Sequence, residues 1–198
     1  MEFVESYMLF VFDDEHAFRI EDDPSRRGQG LKVCECVALM GDKATMIEAK
    51  SSSPQPKSES RYQEFFAEIV GKFSDTLTLY RDMQTGAKGK AARHRLPPLM
   101  QEKPMGRGRY ALYLVVHGND DTWMPGLQDT LREMLREVTE QWGIDDTRVK
   151  ALNHSMAKDL GVIAEFVPLA ERRTIEKQES DPNKRNARAE RWLLEHRR

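Results

Sequence analysis

The chain has 198 residues, of which 39% are hydrophobic and 32% are charged, and its formal net charge at pH 7 is -2. This composition predicts one folded globular domain and excludes an intrinsically disordered chain. No apolar run approaches the about 18 residues that a membrane span needs, and the acidic amino terminus lacks the basic start of a signal peptide. The only cysteines, Cys34 and Cys36, are poorly spaced to bridge each other, so we expect reduced thiols and a cytoplasmic protein.

The sequence predicts strands followed by one long helix in the first half of the chain. Apolar, β-prone runs predict strands at 8–12 and 17–21, around an acidic turn, and a hairpin made of 33–40 and 44–50. Apolar residues at helical spacing then predict an amphipathic helix over 62–80. The glycine- and proline-containing segment 83–108 is expected to be a mobile loop.

The second half continues the alternation of strands and helices. The almost continuously apolar run 110–116 predicts a central strand, and 127–142 has the pattern of a second amphipathic helix. Short strands are expected at 148–152 and 162–167, and Asp181-Pro182 predicts the start of a last helix that ends near Glu195. This order predicts an α/β fold with a mixed sheet flanked by helices.

The predicted hairpin carries charges that a buried strand pair rarely contains. If Gly41-Asp42 is a two-residue turn, Leu39 faces Ala44 and Glu35 lies directly opposite Glu48. Lys50 shares the face of Glu48, because side chains alternate along a strand. A three-residue turn would instead place Glu35 opposite Ala49. By the same alternation, Cys34 and Cys36 are expected to be buried together on the face opposite Glu35.

Two interpretations of these charges are open. In the first, the hairpin lies at a solvated sheet edge, where Lys50 partly neutralises Glu35 and Glu48. In the second, the two carboxylates hold a divalent cation such as Mg²⁺, and Lys50 orients a water nucleophile or stabilises charge on a phosphate.

An acid on one strand, a short turn, E-x-K on the next strand and then an amphipathic helix together resemble the PD-(D/E)xK nuclease-like superfamily. The resemblance implies a restriction-endonuclease-like mixed sheet flanked by helices, most strongly over residues 17–80 and extending to about 167. It divides the chain into a nuclease-like domain, 1–170, with a basic loop at 83–109, and a C-terminal basic helix and tail, 171–198.

Residue by residue, the resemblance implies that Glu35 and Glu48 are the two acids of the motif and Lys50 its lysine. Glu21 would be a further metal-binding acid, and the following helix would offer an accessory residue, Gln63 or Glu64 in preference to Glu68. The chain departs from the family pattern in having no proline before the first acid and Glu in place of the usual Asp there.

The function that the resemblance implies is Mg²⁺- or Mn²⁺-dependent hydrolysis of nucleic acid, with DNA favoured, in bacterial defence or DNA processing. The alternative is a catalytically degenerate module of the same fold that binds within a larger complex, because some family members with altered acids are inactive. The last helix, with Trp192, Leu193 and Leu194 among basic residues, is a candidate contact for a protein partner.

Basic residues lie in two segments that are candidates for contact with phosphates. The tail 182–198 has six lysines and arginines against two acids, and the segment 87–109 has seven against one acid. From the second segment we expect four residues at a nucleic-acid interface: Lys88, Lys90, Arg93 and Arg95.

Overall fold

The structure is a computed structural model that describes residues 1–26, 30–102 and 106–196. Within these ranges the strands are β1 (Glu2–Glu5), β2 (Met8–Val11), β3 (Ala17–Phe18), β4 (Cys36–Met40), β5 (Lys43–Lys50), β6 (Tyr110–Val116), β7 (Val149–Asn153) and β8 (Glu165–Phe166). The helices are α1 (Glu59–Thr85), α2 (Lys90–His94), α3 (Pro98–Glu102), α4 (Met124–Met134), α5 (Arg136–Trp142), α6 (His154–Asp159), α7 (Leu169–Gln178) and α8 (Pro182–His196).

The main sheet has five strands in the order β3-β4-β5-β6-β7. Its first three strands are antiparallel neighbours, whereas β5, β6 and β7 run parallel to one another. Parallel neighbours require a crossover connection, and α1 is the long helix in the first crossover and α4 lies in the second. The expectation of a mixed sheet flanked by helices is therefore confirmed, and 110–116 is a buried strand with neighbours on both sides.

Helices α1, α4 and α5 cover one face of this sheet. Their apolar residues share a core with the strand residues that point to the same side, such as Val37, Met46 and Leu112. Helix α1 extends beyond the predicted 62–80 and ends at Gly86, whose φ of 75° closes the helix in the left-handed region. The helix predicted at 127–142 is two helices, because Leu135 leaves the helical conformation at φ -91° and ψ 0°.

A three-stranded sheet, ordered β1-β2-β8, covers the opposite face of the main sheet. Phe3, Met8 and Phe10 point from it into a second core that includes Ile47 and Val115 of the main sheet. The strands predicted at 8–12 and 17–21 therefore belong to two different sheets. The turn of the β1–β2 hairpin is formed by Ser6 and Tyr7 at φ values of 50° and 67°, without a glycine.

The outermost layer consists of α7 and α8, which pack on the far side of the small sheet. The predicted last helix, from Pro182 to about Glu195, is confirmed as α8. Its Leu193 is fully buried with Leu9 and Ile175, so this side chain stabilises the fold itself. Leu194 remains 54% exposed.

In its described part, the segment 83–108 includes α2 and α3 and contributes to the core, so the prediction of a loop is wrong there. Three residues of this segment are buried in the same core as α1: Ala92 in α2, Leu96 between the two helices, and Met100 in α3. The short apolar spacing 92, 96, 100 is the sequence signal that the glycines and prolines obscured. Lys103, also in this segment, lies outside the described residues.

No helix in the described part of the chain combines the length and the apolar character that crossing a membrane requires.

Candidate active site

The β4–β5 hairpin has the predicted register. Leu39 pairs with Ala44 and Val37 with Met46 around a two-residue turn, and Gly41 takes the φ of 65° that a glycine-first hairpin turn requires. Glu35 lies just before β4, where its backbone N–H donates to the Ile47 carbonyl at 3.1 Å. The three-residue turn is thereby excluded, and Glu35 and Glu48 approach the same region of the helix-covered face.

The two cysteines do not share a face, so that prediction is wrong. Cys34 lies in the core beneath α1, whereas Cys36 lies in the core beneath the small sheet. Strand alternation fails here because the ladder begins only at Cys36 and the chain bends at Glu35. Both thiols are free and buried, as predicted, and burial raises the pKa of each above its usual value.

Lys72 of α1 lies between the two hairpin carboxylates. Its Nζ is 2.7 Å from Glu48 Oε1 and 3.5 Å from Glu35 Oε1. Although burial disfavours the charged ammonium, these carboxylates hold the pKa of Lys72 above its usual value. The helix position is fixed locally, because Thr76 accepts a hydrogen bond from the backbone N–H of Cys34 and donates one to the Lys72 carbonyl.

Lys50 also contacts Glu48, and its ammonium links the hairpin to α1. Its Nζ is 3.1 Å from Glu48 Oε1 and 2.7 Å from Glu68 Oε1. Burial alone would lower the pKa of Lys50, but the Glu48 charge and the Glu68 hydrogen bond raise it. Lys50 is therefore an ammonium at neutral pH and cannot act there as a general base.

Glu21 and Arg19 close the cluster on the side of Glu35. Arg19 Nη2 donates to Glu21 Oε2 at 2.9 Å and lies 3.9 Å from Glu35 Oε2. Burial, the Glu48 charge and a hydrogen bond shared with Glu21 raise the pKa of Glu35 to about 9. Burial would also raise the pKa of Glu21, but hydrogen bonds from Glu35 and Arg19 outweigh it and lower that pKa. At neutral pH Glu35 is thus protonated and Glu21 ionised.

The acids and cations of the cluster contact one another. Arg19 pairs with Glu21 and Asp22, Lys72 and Lys50 both pair with Glu48, and Lys50 also contacts Glu68. Glu48 is fully buried, and burial raises its pKa while Lys72 and Lys50 oppose that rise. The interpretation of a solvated sheet edge is therefore wrong, because β4 and β5 have neighbours on both sides and Glu35 and Glu48 are buried.

Two carboxylate oxygens in the cluster lack a hydrogen-bond donor in the described chain. They are Oε2 of Glu35 and Oε2 of Glu48, and both are buried. Unpaired buried acceptors are costly, so each such atom calls for a partner. Among the described residues, no group of three or more His, Cys, Asp or Glu side chains converges as a metal site. The Lys72 ammonium contacts both Glu35 and Glu48.

Each of these oxygens is an acceptor of the type that ligates hard divalent cations, which take one or two carboxylates and fill their other positions with water and phosphate oxygens. A cation can bind between Glu35 and Glu48 only if the Lys72 ammonium moves away and Glu35 loses its proton. Glu35, Glu48 and Lys50 thus lie together as predicted, and Glu21 reaches them through Glu35.

Sequence reasoning missed Lys72 and Arg19. It also preferred Gln63 or Glu64 to Glu68, the residue of these three that contacts Lys50. Gln63 and Glu64 are exposed on α1, where Glu64 accepts a hydrogen bond from Ser60, whereas Glu68 contacts Lys50. A signal did exist, because residues 68, 72 and 76 are spaced by four and form one line along the helix. Three polar residues on a line beside the apolar stripe indicate a polar partner on the sheet.

The basic residues of this segment differ in their surroundings. Lys90 and Arg93 are exposed on α2, and Lys88 is half-buried just before it. Arg95 instead donates to Asp23 at 2.9 and 3.1 Å, and these hydrogen bonds lower the pKa of Asp23 against the opposing effect of its burial. Arg95 therefore ties the end of α2 to the segment that carries Glu21.

Beyond Lys50, buried polar contacts hold the end of β5. The His117 N–H donates to the Lys50 carbonyl at 2.9 Å, and Arg172 of α7 donates to the Ser51 carbonyl. The His117 ring donates from Nε2 to the Val167 carbonyl at 2.6 Å and accepts at Nδ1 from Arg172. Burial lowers the pKa of His117 to about 4, so it acts here as a neutral structural bridge.

The stability of the metal-free protein should fall as pH rises from about pH 7 to about pH 8.5. The folded state binds the Glu35 proton more tightly than the unfolded state, whose pKa is the usual 4.5, so raising the pH through this window removes stability. The slope is expected to approach about 1.4 kcal/mol per pH unit, and Glu35→Gln should abolish it. Urea unfolding in a chelator measures this, and an unchanged slope in Glu35→Gln would contradict it.

Comparison of the chain with protein-family models, with curated proteins and with solved structures finds no match. The fold and the cluster define a mixed α/β domain with a cluster of acids, lysines and an arginine around the end of its central strand.

Proposed function

We propose that this protein is a metal-dependent nuclease of the PD-(D/E)xK type, which hydrolyses phosphodiester bonds of nucleic acid, with DNA favoured. The observation that carries the proposal is the placement of Glu48 and Lys50 at the end of β5, with Glu35 facing them. The Oε2 atoms of Glu35 and Glu48 support it further, because both are buried and neither has a hydrogen-bond donor in the described chain.

The topology supports the same proposal. An antiparallel meander, β3-β4-β5, is followed by a helix that crosses to the parallel strand β6, and E-x-K ends the third strand of the meander. This resembles the restriction-endonuclease-like fold, in which the corresponding acids and lysine lie on the central strands.

Glu35 and Glu48 would hold the cation, and Glu21 would accept a hydrogen bond from, or share the proton of, Glu35. When bound, Mg²⁺ or Mn²⁺ lowers the pKa of a water ligand and offsets negative charge on a phosphate. Lys50 contributes a fixed positive charge beside Glu48, which stabilises the additional charge that develops on the phosphate during attack. Because it stays protonated, its role is electrostatic and orienting.

The basic surface supports contact with a nucleic-acid backbone. Lys88, Lys90 and Arg93 lie on or beside α2, which Arg95 holds next to the Glu21 segment. Contacts of this kind bind phosphates without reading bases, and they weaken as salt rises.

The second candidate function is a non-catalytic module that binds within a larger complex. The position of Lys72 favours it. The ammonium lies 2.7 Å from Glu48 and 3.5 Å from Glu35, and so it occupies the place between the two acids where a metal ion would bind. In such a module α8 offers the exposed Leu194 and the half-buried Trp192 to a protein partner.

The deciding experiment is a cleavage assay on duplex DNA, single-stranded DNA and RNA, each with Mg²⁺, with Mn²⁺ and with a chelator. We expect metal-dependent cleavage by the wild type, and its loss by about a thousandfold in Glu48→Gln, because a ligand and the partner of Lys50 are removed together. Mn²⁺ should also raise the melting temperature of the wild type but not of Glu48→Gln.

The matched control is Glu137→Gln, which removes an exposed carboxylate on α5 and should keep full activity. A wild type that shows neither cleavage nor metal-dependent stabilisation on any of these substrates would favour the non-catalytic module.

A further inference from the structure

A cavity of about 450 Å³ lies beyond Lys50, at the carboxyl ends of β5 and β6. Its walls come from the segment after β5, from the start of α1, from the segment after β6 and from α4. In sheets with parallel strands, ligands commonly bind outside the carboxyl ends of those strands. The cavity therefore lies at the same end of the sheet as the candidate catalytic residues.

The cavity has apolar walls and a neutral polar rim. Trp123, which is 39% exposed, Tyr62 and Leu127 provide the apolar surface. Ser53 and Thr122 add hydroxyl groups that can donate or accept hydrogen bonds. No lysine or arginine of the described chain lines it, so its chemistry suits an uncharged, flat group with polar edges and does not suit a phosphate.

The cavity is held rigidly against the end of β5. The Asn119 side chain, which is 7% exposed, donates to Ser53 Oγ at 2.7 Å and accepts from the Ser53 N–H at 3.3 Å. Tyr62 OH donates to Thr130 at 3.1 Å and joins the start of α1 to α4. Because Ser53 follows Lys50 by three residues, the cavity rim lies within about 10 Å of Lys50.

We propose that this cavity binds one unpaired nucleobase of a strand whose phosphate lies at Glu48 and Lys50, by stacking on Trp123. This inference rests on the proposed function and specifies its substrate as a strand with an unstacked base, either single-stranded or locally opened. A distance of about 10 Å equals about three stacked duplex steps, and an unstacked strand spans it with fewer nucleotides, so the bound base lies close to the reacting phosphate. Aromatic stacking accepts any base, because every base has a π-face.

The test measures binding in a chelator, so that no cleavage is needed. A labelled oligothymidylate is compared with a strand of equal length that carries the same phosphates but abasic sugars, and the readout is fluorescence anisotropy. We expect the wild type to bind the base-bearing strand about tenfold more tightly. Trp123→Ala should remove this preference and leave the affinity for the abasic strand unchanged.

A second variant fills the cavity while keeping Trp123. Gly126 lines the cavity, and a Cβ built there meets no atom within 4 Å, so Gly126→Leu should fold and block the base. Gly126→Ala is the size control, and Trp192→Ala removes an indole outside the cavity; both should keep the preference. Thermal melts of all four variants check folding.

Equal affinity of the wild type for both strands, or a preference that survives both Trp123→Ala and Gly126→Leu, would overturn the inference. So would free thymidine that binds as tightly as the strand, since the cavity would then take a nucleoside independently of the cluster. A base preference without metal-dependent cleavage would support base binding in the cavity and contradict the proposed nuclease activity. Metal-dependent cleavage without a base preference would support the nuclease activity and contradict base binding in the cavity.

Discussion

Replacing Lys72 by methionine is expected to destabilise the metal-free protein by about 3 kcal/mol, because it removes one of the two cations that contact the buried Glu48 carboxylate. Glu48 is fully buried and Glu35 is 5% exposed, so water cannot take over the role of the ammonium. Methionine keeps most of the apolar stem of lysine, which confines the change to the charge. Urea unfolding in a chelator gives the free energy of unfolding directly.

Mn²⁺ should restore a large part of the free energy of unfolding that Lys72→Met loses. The increase caused by Mn²⁺ should be larger for Lys72→Met than for the wild type. The reason is that the cation no longer competes with an ammonium for the Glu35 and Glu48 oxygens. Lys184→Met, at an exposed position on α8, is the matched control and should change stability by less than about 0.5 kcal/mol. A Lys72→Met variant as stable as the wild type in chelator would show that the cluster does not depend on this charge.

Replacing Lys50 by methionine is expected to lower the rate of metal-dependent cleavage by about 10²–10³-fold, the usual cost of losing one preorganised charge at the reacting group. The stabilisation of the variant by Mn²⁺ should persist, because Glu35 and Glu48 are retained and Lys50 is not a ligand. The measurement pairs single-turnover cleavage with melting temperatures across a range of metal concentration.

Lys50 also pairs with Glu68, so the loss of that contact needs its own control. Glu68→Gln keeps Lys50 and removes only the partly exposed carboxylate, which is 42% exposed and hence well solvated. We expect Glu68→Gln to cleave within a few fold of the wild-type rate. A Lys50→Met variant that cleaves at the wild-type rate would remove Lys50 from the mechanism.

The sequence by itself determined the parts of this protein that depend on local pattern. Alternation and the Gly41-Asp42 turn set the hairpin register, because a one-residue slip would move every side chain to the other face. Helical spacing located α1, and Asp181-Pro182 located α8. The proximity of Glu35, Glu48 and Lys50 followed from the same register.

Only the tertiary structure decided what surrounds that hairpin. The β1–β2 hairpin escaped prediction because Ser6 and Tyr7 adopt left-handed φ values that glycine or asparagine usually marks. The glycines and prolines of 83–108 masked two short helices, whose apolar side chains are held by core packing rather than by propensity.

The tertiary structure likewise decided which residues form the charge cluster. Lys72 is separated from Glu48 by 24 residues, and Arg19 reaches Glu21 and Glu35 from the segment before the hairpin. Periodicity identifies which residues of α1 face the sheet but not which strand residue each one meets. Docking of α1 on the sheet sets that pairing, and with it the placement of Lys72 beside Glu48 and Glu35.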